Sequence, residues 1–151
     1  LWIVGYGFVQ ASAPGLIRKS HHGAGPDGRT ALYLVGSLLL IPAVMAILLA
    51  TGYSPAMVLI LGLAIFGAVF ALNSAVHSYL VVAWSDREKV SMNVGFYYMA
   101  NAGGRLAGTI LSGLSYQAWG MTGSLWLSAV FIFAAFLISF RLPATKKAVV
   151  V

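Results

Sequence analysis

Five long apolar stretches, separated by short connections, constrain this sequence more than any other feature. They cover approximately residues 1–17, 31–50, 56–84, 90–118 and 123–140. A helix needs about 20 mostly apolar residues to cross a bilayer, and stretches of this length exceed a barrel strand. Because backbone polar groups find no water partner in lipid, all five stretches are predicted to be helices. The predicted fold class is therefore all-α: a polytopic transmembrane helix bundle of about five helices.

The composition indicates a membrane protein, and the positive net charge therefore does not indicate nucleic-acid binding. Hydrophobic residues make up 60% of the chain, charged residues make up 8%, and the net charge is +6. In a soluble domain this charge would suggest nucleic acid as a partner. Here the basic residues cluster between the apolar stretches, where they act as topology signals. We predict the lipid bilayer, and no nucleic acid, as a partner.

The basic residues also predict how the chain is oriented. Eight of the nine lie in residues 18–30, in residues 85–89 or after residue 140, whereas the connections at 51–55 and 117–124 carry no charge. By the positive-inside rule, the basic side is cytoplasmic. We predict a multi-pass protein of the cell inner (plasma) membrane with a cytoplasmic C-terminus. Because the chain begins at Leu1 without an initiator methionine, we also expect it to be part of a longer protein.

Arg105 is the ninth basic residue and lies near the middle of the stretch 90–118. A charged residue at that depth costs roughly 2.5–3.5 kcal/mol even on the lowest insertion scales, so it is interpreted as functional by default. Tyr97, Asn101 and Arg105 recur every four residues, and Ser112 continues this polar stripe on one helix face. We expect Asn101 to hydrogen-bond the guanidinium. The preferred interpretation is a fixed positive charge that faces a cavity and binds carboxylate or phosphate. The alternative is a structural arginine bonded to neighbouring carbonyls.

Two other stretches contribute polar residues at four-residue spacing. Asn73 and His77 lie on the third stretch, and Tyr6 and Gln10 lie on the first. For His77, a hydrogen bond within the bundle and a role in substrate or proton binding are equally supported. We predict that polar residues of three helices form one substrate-binding site. The predicted residues are Arg105, Asn101, Tyr97, His77, Asn73, Gln10 and Tyr6.

The sequence offers little for enzymatic chemistry. It contains no nucleophile–base pair and no phosphate-binding loop, and His21 and His22 have no further ligand at metal spacing, so neither an enzyme, a cofactor nor a metal site is predicted. The acidic residues, Asp27, Asp86 and Glu88, all lie in connections. Because arginine stays protonated in proteins, any proton coupling requires either titration of His77 or a carboxylate elsewhere in the protein.

The arrangement of helices resembles the end of a twelve-helix transporter of the major facilitator superfamily, with the stretches as helices eight to twelve. Ala13–Lys19, followed by Gly28 and Arg29, occupies the place of that superfamily's basic loop but departs from its glycine–aspartate–arginine pattern. This resemblance implies that the first six helices, the seventh and part of the eighth belong to the missing N-terminal part of the same chain.

Two segments resemble a narrower group. They are GYGFVQASAP at Gly5–Pro14 and SDREKVSMNVGFYYMANAGGRLAGTILSGLSYQ at Ser85–Gln117, and both are similar to the organoarsenical efflux (ArsJ) transporters. The resemblance implies export of a small anionic substrate, 1-arseno-3-phosphoglycerate, in arsenate resistance. It also implies a functional link to the glyceraldehyde-3-phosphate dehydrogenase that makes this compound from arsenate. The alternatives are an exporter of another organic anion or drug, and a non-transporting scaffold subunit in which Arg105 is structural.

Overall fold

A computed structural model describes residue 5, residues 7–12, residue 15 and residues 26–143. In this part of the chain it contains helices and no strand, and three long helices organise it: α1 (Gly28–Ala50), α2 (Pro55–Ala83) and α3 (Val90–Ser139). All three are long and apolar enough to cross a membrane. The predicted all-α transmembrane fold is confirmed. The first predicted stretch is described only in part, and its residues 7–12 are helical.

Helix α1 begins three residues before the predicted apolar stretch because a polar cap starts it. The Asp27 carboxylate accepts a hydrogen bond from the Thr30 backbone N–H at 2.9 Å, which satisfies one of the free donors at a helix start. Pro42 lies inside the helix without ending it. After Ala50 the chain turns at Gly52, whose φ of +88° favours glycine.

Helix α3 is too long to be one straight membrane span. A straight helix of its length would extend about 75 Å, whereas the apolar core of a bilayer is about 30 Å thick. It is broken at Gly120, where φ is 67° and ψ is −164°. We call residues 90–119 the N-terminal arm and residues 121–139 the C-terminal arm. The Ser115 and Ser124 hydroxyl oxygens lie 3.0 Å apart across this break, so the two arms fold back on each other as a hairpin. The predicted connection over 117–124 is thus reduced to a turn around one residue.

Helix α1 lies between α2 and the C-terminal arm, and a glycine permits close helix contact at each of these two interfaces. A Cβ atom added at Gly36 would lie 3.2 Å from the Phe136 ring, and one added at Gly62 of α2 would collide with the side chain of Met45. A buried cluster joins α1, α2 and the segment that follows α3 at one end of the bundle. The cluster contains Ala31, Val76 and Leu80, with Leu34, Trp84 and Leu142 packed against it.

This end of the bundle also carries the charged residues of the described connections. Arg29 lies in the first turn of α1, Arg87 and Lys89 lie between α2 and α3, and Arg141 follows α3. We call it the basic end. The turns at residues 51–54 and at Gly120 lie at the opposite end and carry no charge. Within residues 26–143, Arg105 is therefore the one basic residue located between the two ends.

Candidate functional site

The N-terminal arm presents a polar face around Arg105. Arg105 lies about 22 Å from each end of the arm, at 1.5 Å per residue. Tyr97 and Asn101 precede it at four-residue spacing and so lie on the same face. The side chains of Asn101 and Arg105 are exposed, whereas Tyr97 is half-buried. The arm thus carries a positive charge to the middle of a membrane-length helix and leaves it accessible.

The guanidinium of Arg105 has no anionic partner in the part of the chain that the structure describes. Its backbone carbonyl accepts a hydrogen bond from the Thr109 hydroxyl at 2.8 Å. The hydrogen bond expected from Asn101 to the guanidinium is not formed among the described residues, and both residues are exposed. A charge at this depth requires water, a protein partner or an anion to solvate it. The site can therefore bind an anion.

One ring nitrogen of His77 on α2 is hydrogen-bonded, and the other makes no hydrogen bond among the described residues. Its Nδ1 lies 2.9 Å from the backbone carbonyl oxygen of Asn73. Because a carbonyl oxygen only accepts, Nδ1 must carry a proton, so Nε2 is the acceptor of the neutral ring. The ring lines a cavity of about 320 Å³ near the basic end, together with Trp84, Asn93 and Leu142. The neutral ring of His77 can therefore accept one further hydrogen bond.

Asn73 lies one helical turn from His77, toward the middle of α2. Its side-chain oxygen is buried and has no hydrogen-bond partner among the residues described. A buried acceptor without a donor lowers the stability of the folded protein by about 1–3 kcal/mol, so such atoms are uncommon and call for an explanation. Together, Asn73 and His77 place two hydrogen-bonding groups at membrane depth on α2.

Polar contacts hold α2 against the N-terminal arm and bring part of the predicted site together. The Ser78 hydroxyl donates to the Tyr97 hydroxyl oxygen at 3.5 Å, and the Asn93 side-chain amide donates to the Ser85 hydroxyl oxygen at 2.9 Å. Ser78 and Tyr97 therefore lie at this interface, and His77 lines a cavity together with Asn93 and Phe96 of the arm. Asn101 and Arg105 lie one and two turns further along the arm.

Of the two site residues predicted on the first stretch, the structure describes only Gln10. Gln10 is half-buried, and it makes no hydrogen bond to the other predicted site residues within the described ranges. Tyr6 lies outside the described residues. The structure therefore connects Tyr97 with the His77 region and leaves the contribution of the first stretch as a prediction.

Sequence reasoning missed a second cavity, of about 420 Å³, between the two arms of α3. We call it the inter-arm cavity. Gly104, Gly108 and four serines line it, and Phe66 of α2 and apolar side chains of both arms complete the wall. The four serines are Ser112, Ser115, Ser124 and Ser128. The helical spacing of Gly104, Gly108 and Ser115 could have indicated one shared face, but the sequence does not reveal that the arms enclose a space.

These features define a class of protein. The chain is a helical, multi-pass membrane protein with a cationic group accessible at mid-span. Within the described ranges no group of three histidine, cysteine, aspartate or glutamate side chains could hold a metal ion. The described groups are suited to binding a polar solute inside the membrane.

The family follows from comparison with known proteins. The sequence matches the family model of the Major Facilitator Superfamily over residues 3–150. The chain therefore belongs to the Major Facilitator Superfamily, whose members are secondary transporters rather than enzymes. Searches of curated proteins and of solved structures returned no match. The match supports a multi-pass membrane protein, in agreement with the apolar helices.

Proposed function

We propose that this transporter exports an anionic organic metabolite, and that the chain supplies part of the C-terminal half of a twelve-helix protein. The observation that carries the proposal is Arg105. It is accessible at mid-span, and no ion pair neutralises it in the part of the chain described. A planar guanidinium binds carboxylate and phosphate through paired hydrogen bonds. Transporters of this architecture hold their substrates near the bilayer midplane, which is the depth of Arg105.

The proposed substrate is 1-arseno-3-phosphoglycerate, in arsenate resistance. The sequence resemblance of Gly5–Pro14 and Ser85–Gln117 to organoarsenical efflux transporters suggests it. The charge distribution supports it, because this substrate carries several negative charges and the acidic residues of the chain all lie near the ends of helices rather than at mid-span. The proposed partner protein is the glyceraldehyde-3-phosphate dehydrogenase that forms the substrate.

Arg105 has the central role in this proposal. Asn101 and Tyr97 share its helix face and provide hydrogen bonds to the substrate. His77, Asn73, Gln10 and Tyr6 are the proposed polar residues of the facing helices. The proposed location is the inner membrane, with the basic end and the C-terminus in the cytoplasm, because basic loops stay on that side.

The function is tested by arsenate resistance in a sensitive bacterial host. The complete gene is expressed with and without the glyceraldehyde-3-phosphate dehydrogenase. We expect resistance only when both are present, because the dehydrogenase makes the compound that the transporter removes. A membrane-inserted transporter that gives no resistance with the dehydrogenase would disprove the organoarsenical substrate while leaving other organic anions open.

The role of Arg105 is tested by Arg105→Ala and Arg105→Lys in the complete protein. We expect both variants to insert normally and to lose export, since lysine cannot form the paired hydrogen bonds of a guanidinium. Arg87→Ala is the matched control, because Arg87 is exposed in the connection between α2 and α3. Normal export by Arg105→Ala contradicts the substrate role, and loss of membrane insertion indicates a structural arginine.

His77 is proposed to carry protons if transport is proton-coupled, since it is the histidine within the described spans and its Nε2 makes no hydrogen bond to the described residues. We expect the export rate of the wild-type protein to vary with pH and that of His77→Gln to vary much less. Export assays in vesicles at a series of pH values measure this. An unchanged pH profile in the variant counts against His77.

The proposed orientation is tested by cysteine labelling, for which the absence of native cysteine in this chain is an advantage. Single cysteines at Lys89 and Gly52 lie at opposite ends of the bundle. We expect a membrane-impermeant thiol reagent to label Gly52→Cys, but not Lys89→Cys, in intact cells. The reverse pattern would contradict a cytoplasmic basic end.

A further inference from the structure

We propose that one anionic phospholipid binds at the basic end, in the cavity of about 320 Å³ that His77 and Trp84 line. We call this cavity the basic-end cavity. The basic residues beside it bind the lipid phosphate, and its apolar wall contacts the glycerol and the upper part of an acyl chain. The inference rests on the membrane fold and not on the exported substrate, so it is tested separately from the proposed function.

The wall of the basic-end cavity is mainly apolar, and the cavity is open rather than enclosed. Ser85 and Asn93 line it close to the helix ends, and His77 lines it deeper in the span. His77 precedes Ser85 by eight residues, or about 12 Å along the helix axis. This distance covers the headgroup layer and the upper hydrocarbon layer of one leaflet. The apolar lining residues are Leu80, Val81, Trp84, Phe96 and Leu142.

The connection between α2 and α3 places two basic residues beside the cavity. Arg87 and Lys89 lie between Ser85 and Asn93, which both line it. The Asn93 side-chain amide donates to the Ser85 hydroxyl oxygen at 2.9 Å, so the two ends of the connection are held together at the cavity. Arg87 and Lys89 are exposed and make no ion pair with the described residues. Their charges are therefore available to a ligand.

The segment after α3 and the start of α1 bring two further basic residues to the same place. Arg141 directly precedes Leu142, which lines the cavity. Arg29 follows Gly28, where an added Cβ atom would lie 3.1 Å from the Leu142 Cβ atom. Both arginines are exposed and lack an ion pair in the described part of the chain. Basic pockets between membrane helices bind anionic lipid headgroups in this way.

The acidic residues of this end oppose binding of an anion only in part. Asp86 and Glu88 lie in the connection between α2 and α3, and Asp27 caps α1. No acidic residue follows Glu88 in the sequence, whereas the chain after α3 carries Arg141 and two lysines. Basic residues therefore outnumber acidic ones at this end, and the acidic residues provide a test of opposite sign.

A phospholipid fits this combination better than a soluble anion does. A soluble anion would use the basic residues at the helix ends but leave the apolar wall without a partner. A lipid brings its phosphate to the level of the helix ends and its carbon chain to the level of the wall. Trp84 lies at the depth where tryptophan is enriched in membrane proteins, next to the headgroups.

The experiment measures which lipid lies next to Trp84. The purified complete protein is reconstituted in phosphatidylcholine vesicles that contain, at equal mole fraction, brominated phosphatidylglycerol or brominated phosphatidylcholine. Bromine quenches tryptophan fluorescence on contact, and the Trp84 signal is the difference between the wild type and Trp84→Phe. We expect phosphatidylglycerol to quench Trp84 more strongly. Trp119 is exposed at the uncharged end, so both lipids should quench it equally.

Charge variants test the contact with the headgroup. Arg87→Gln and Arg141→Gln should each lower the preference for phosphatidylglycerol at Trp84 about 5-fold, the effect of one basic residue near an anionic surface. Asp86→Asn should raise this preference, and it retains every basic residue that guides membrane insertion. Arg105→Ala should leave the preference unchanged, which separates the lipid site from the proposed substrate site.

A cavity variant tests the contact with the carbon chain. Val81→Phe fills the cavity and should reduce the quenching of Trp84 by both brominated lipids. Val82→Phe is the matched control, because Val82 is the next residue on the same helix, is exposed and does not line the cavity. Quenching in this control should equal that of the wild type.

Four results would overturn the inference. They are equal quenching of Trp84 by the two lipids, the same lipid preference at Trp119, an unchanged preference in all three charge variants, and equal effects of Val81→Phe and Val82→Phe. Loss of the preference in an excess of free glycerol phosphate would also contradict it, because the site would then recognise a soluble phosphate rather than a lipid.

Discussion

Helix α1 and the N-terminal arm of α3 are both apolar enough to cross a membrane, but they use their surfaces in opposite ways. Helix α1 buries residues along its whole length, including Ala31, Val35, Leu38, Met45 and Ala46. The N-terminal arm buries Ser115 alone among its residues. Hydropathy cannot distinguish the two, because lipid and protein interior are equally apolar. The comparison shows that α1 is a packing element, whereas the arm keeps a face open for a polar solute, for lipid or for further protein.

The glycines show the same difference between packed helices and the open N-terminal arm. Gly36 of α1 and Gly62 of α2 each lie against a neighbouring side chain, so they permit close helix contact. On the N-terminal arm, added Cβ atoms at Gly95, Gly103, Gly104, Gly108 and Gly113 would meet nothing within 4 Å. Small residues in membrane helices usually serve close packing. Within the described structure, those of the arm instead leave space.

The largest expected effect tests the packing of α1. Ala46 has no exposed surface, so Ala46→Leu has no room and should lower the free energy of unfolding by about 1–3 kcal/mol. Ala102 on the N-terminal arm is exposed, and Ala102→Leu should change the free energy of unfolding by less than about 0.5 kcal/mol. Denaturant unfolding of the complete protein in detergent measures both. Equal losses in the two variants would end the distinction between a packed helix and an open arm.

A smaller effect on the unfolding free energy is expected at Gly120, the turn that joins the N-terminal arm to the C-terminal arm. Gly120 has a φ of 67° and a ψ of −164°, which a residue with a Cβ atom adopts at a cost of about 1–2 kcal/mol. Gly120→Ala should therefore lower the unfolding free energy by this amount. Gly113→Ala, in the straight part of the arm, is the control and should not lower it. If Gly120→Ala is as stable as the control, the hairpin does not depend on this conformation.

The smallest effect compares two helical glycines. Gly103→Ala on the open arm should raise the unfolding free energy by about 0.5–1 kcal/mol, because alanine favours the helix and meets no neighbour. Gly62→Ala should show no gain, because its new methyl group must displace the side chain of Met45. The same unfolding assay separates the two. A gain of equal size in Gly62→Ala would show that Met45 moves aside freely.

Sequence reasoning predicted the membrane fold because hydropathy and length alone require helices here. It could not place every boundary, since helix ends depend on local hydrogen bonds. Asp27 starts α1 at Gly28, ahead of the apolar stretch, and its position before Thr30 is a capping signal that hydropathy averages away. The turn at Gly120 was expected as a longer connection, because a single left-handed glycine interrupts two helices without changing the hydropathy.

The sequence predicted which site residues share a face of one helix, but not which residues of different helices meet. The four-residue spacing of Tyr97, Asn101 and Arg105 predicts a shared face, and their backbone geometry follows from the helix itself. Contacts between helices were not predictable in this way. The hydrogen bond from Ser78 to Tyr97 and the cavity between the arms depend on how α2 and the hairpin pack, which no period within a single stretch encodes.

The turn at Gly120 also places a second apolar segment directly after the one that carries Arg105. The N-terminal arm alone carries an insertion penalty of roughly 2.5–3.5 kcal/mol for its arginine. The C-terminal arm contains nine leucine, isoleucine, valine and phenylalanine residues, and each of these favours insertion by up to about 0.3–0.6 kcal/mol. Because the turn is short and uncharged, the translocation machinery can pass both arms into lipid together, and the second arm offsets the cost of the first. Truncation before Gly120 would leave Arg105 on a segment that must partition alone.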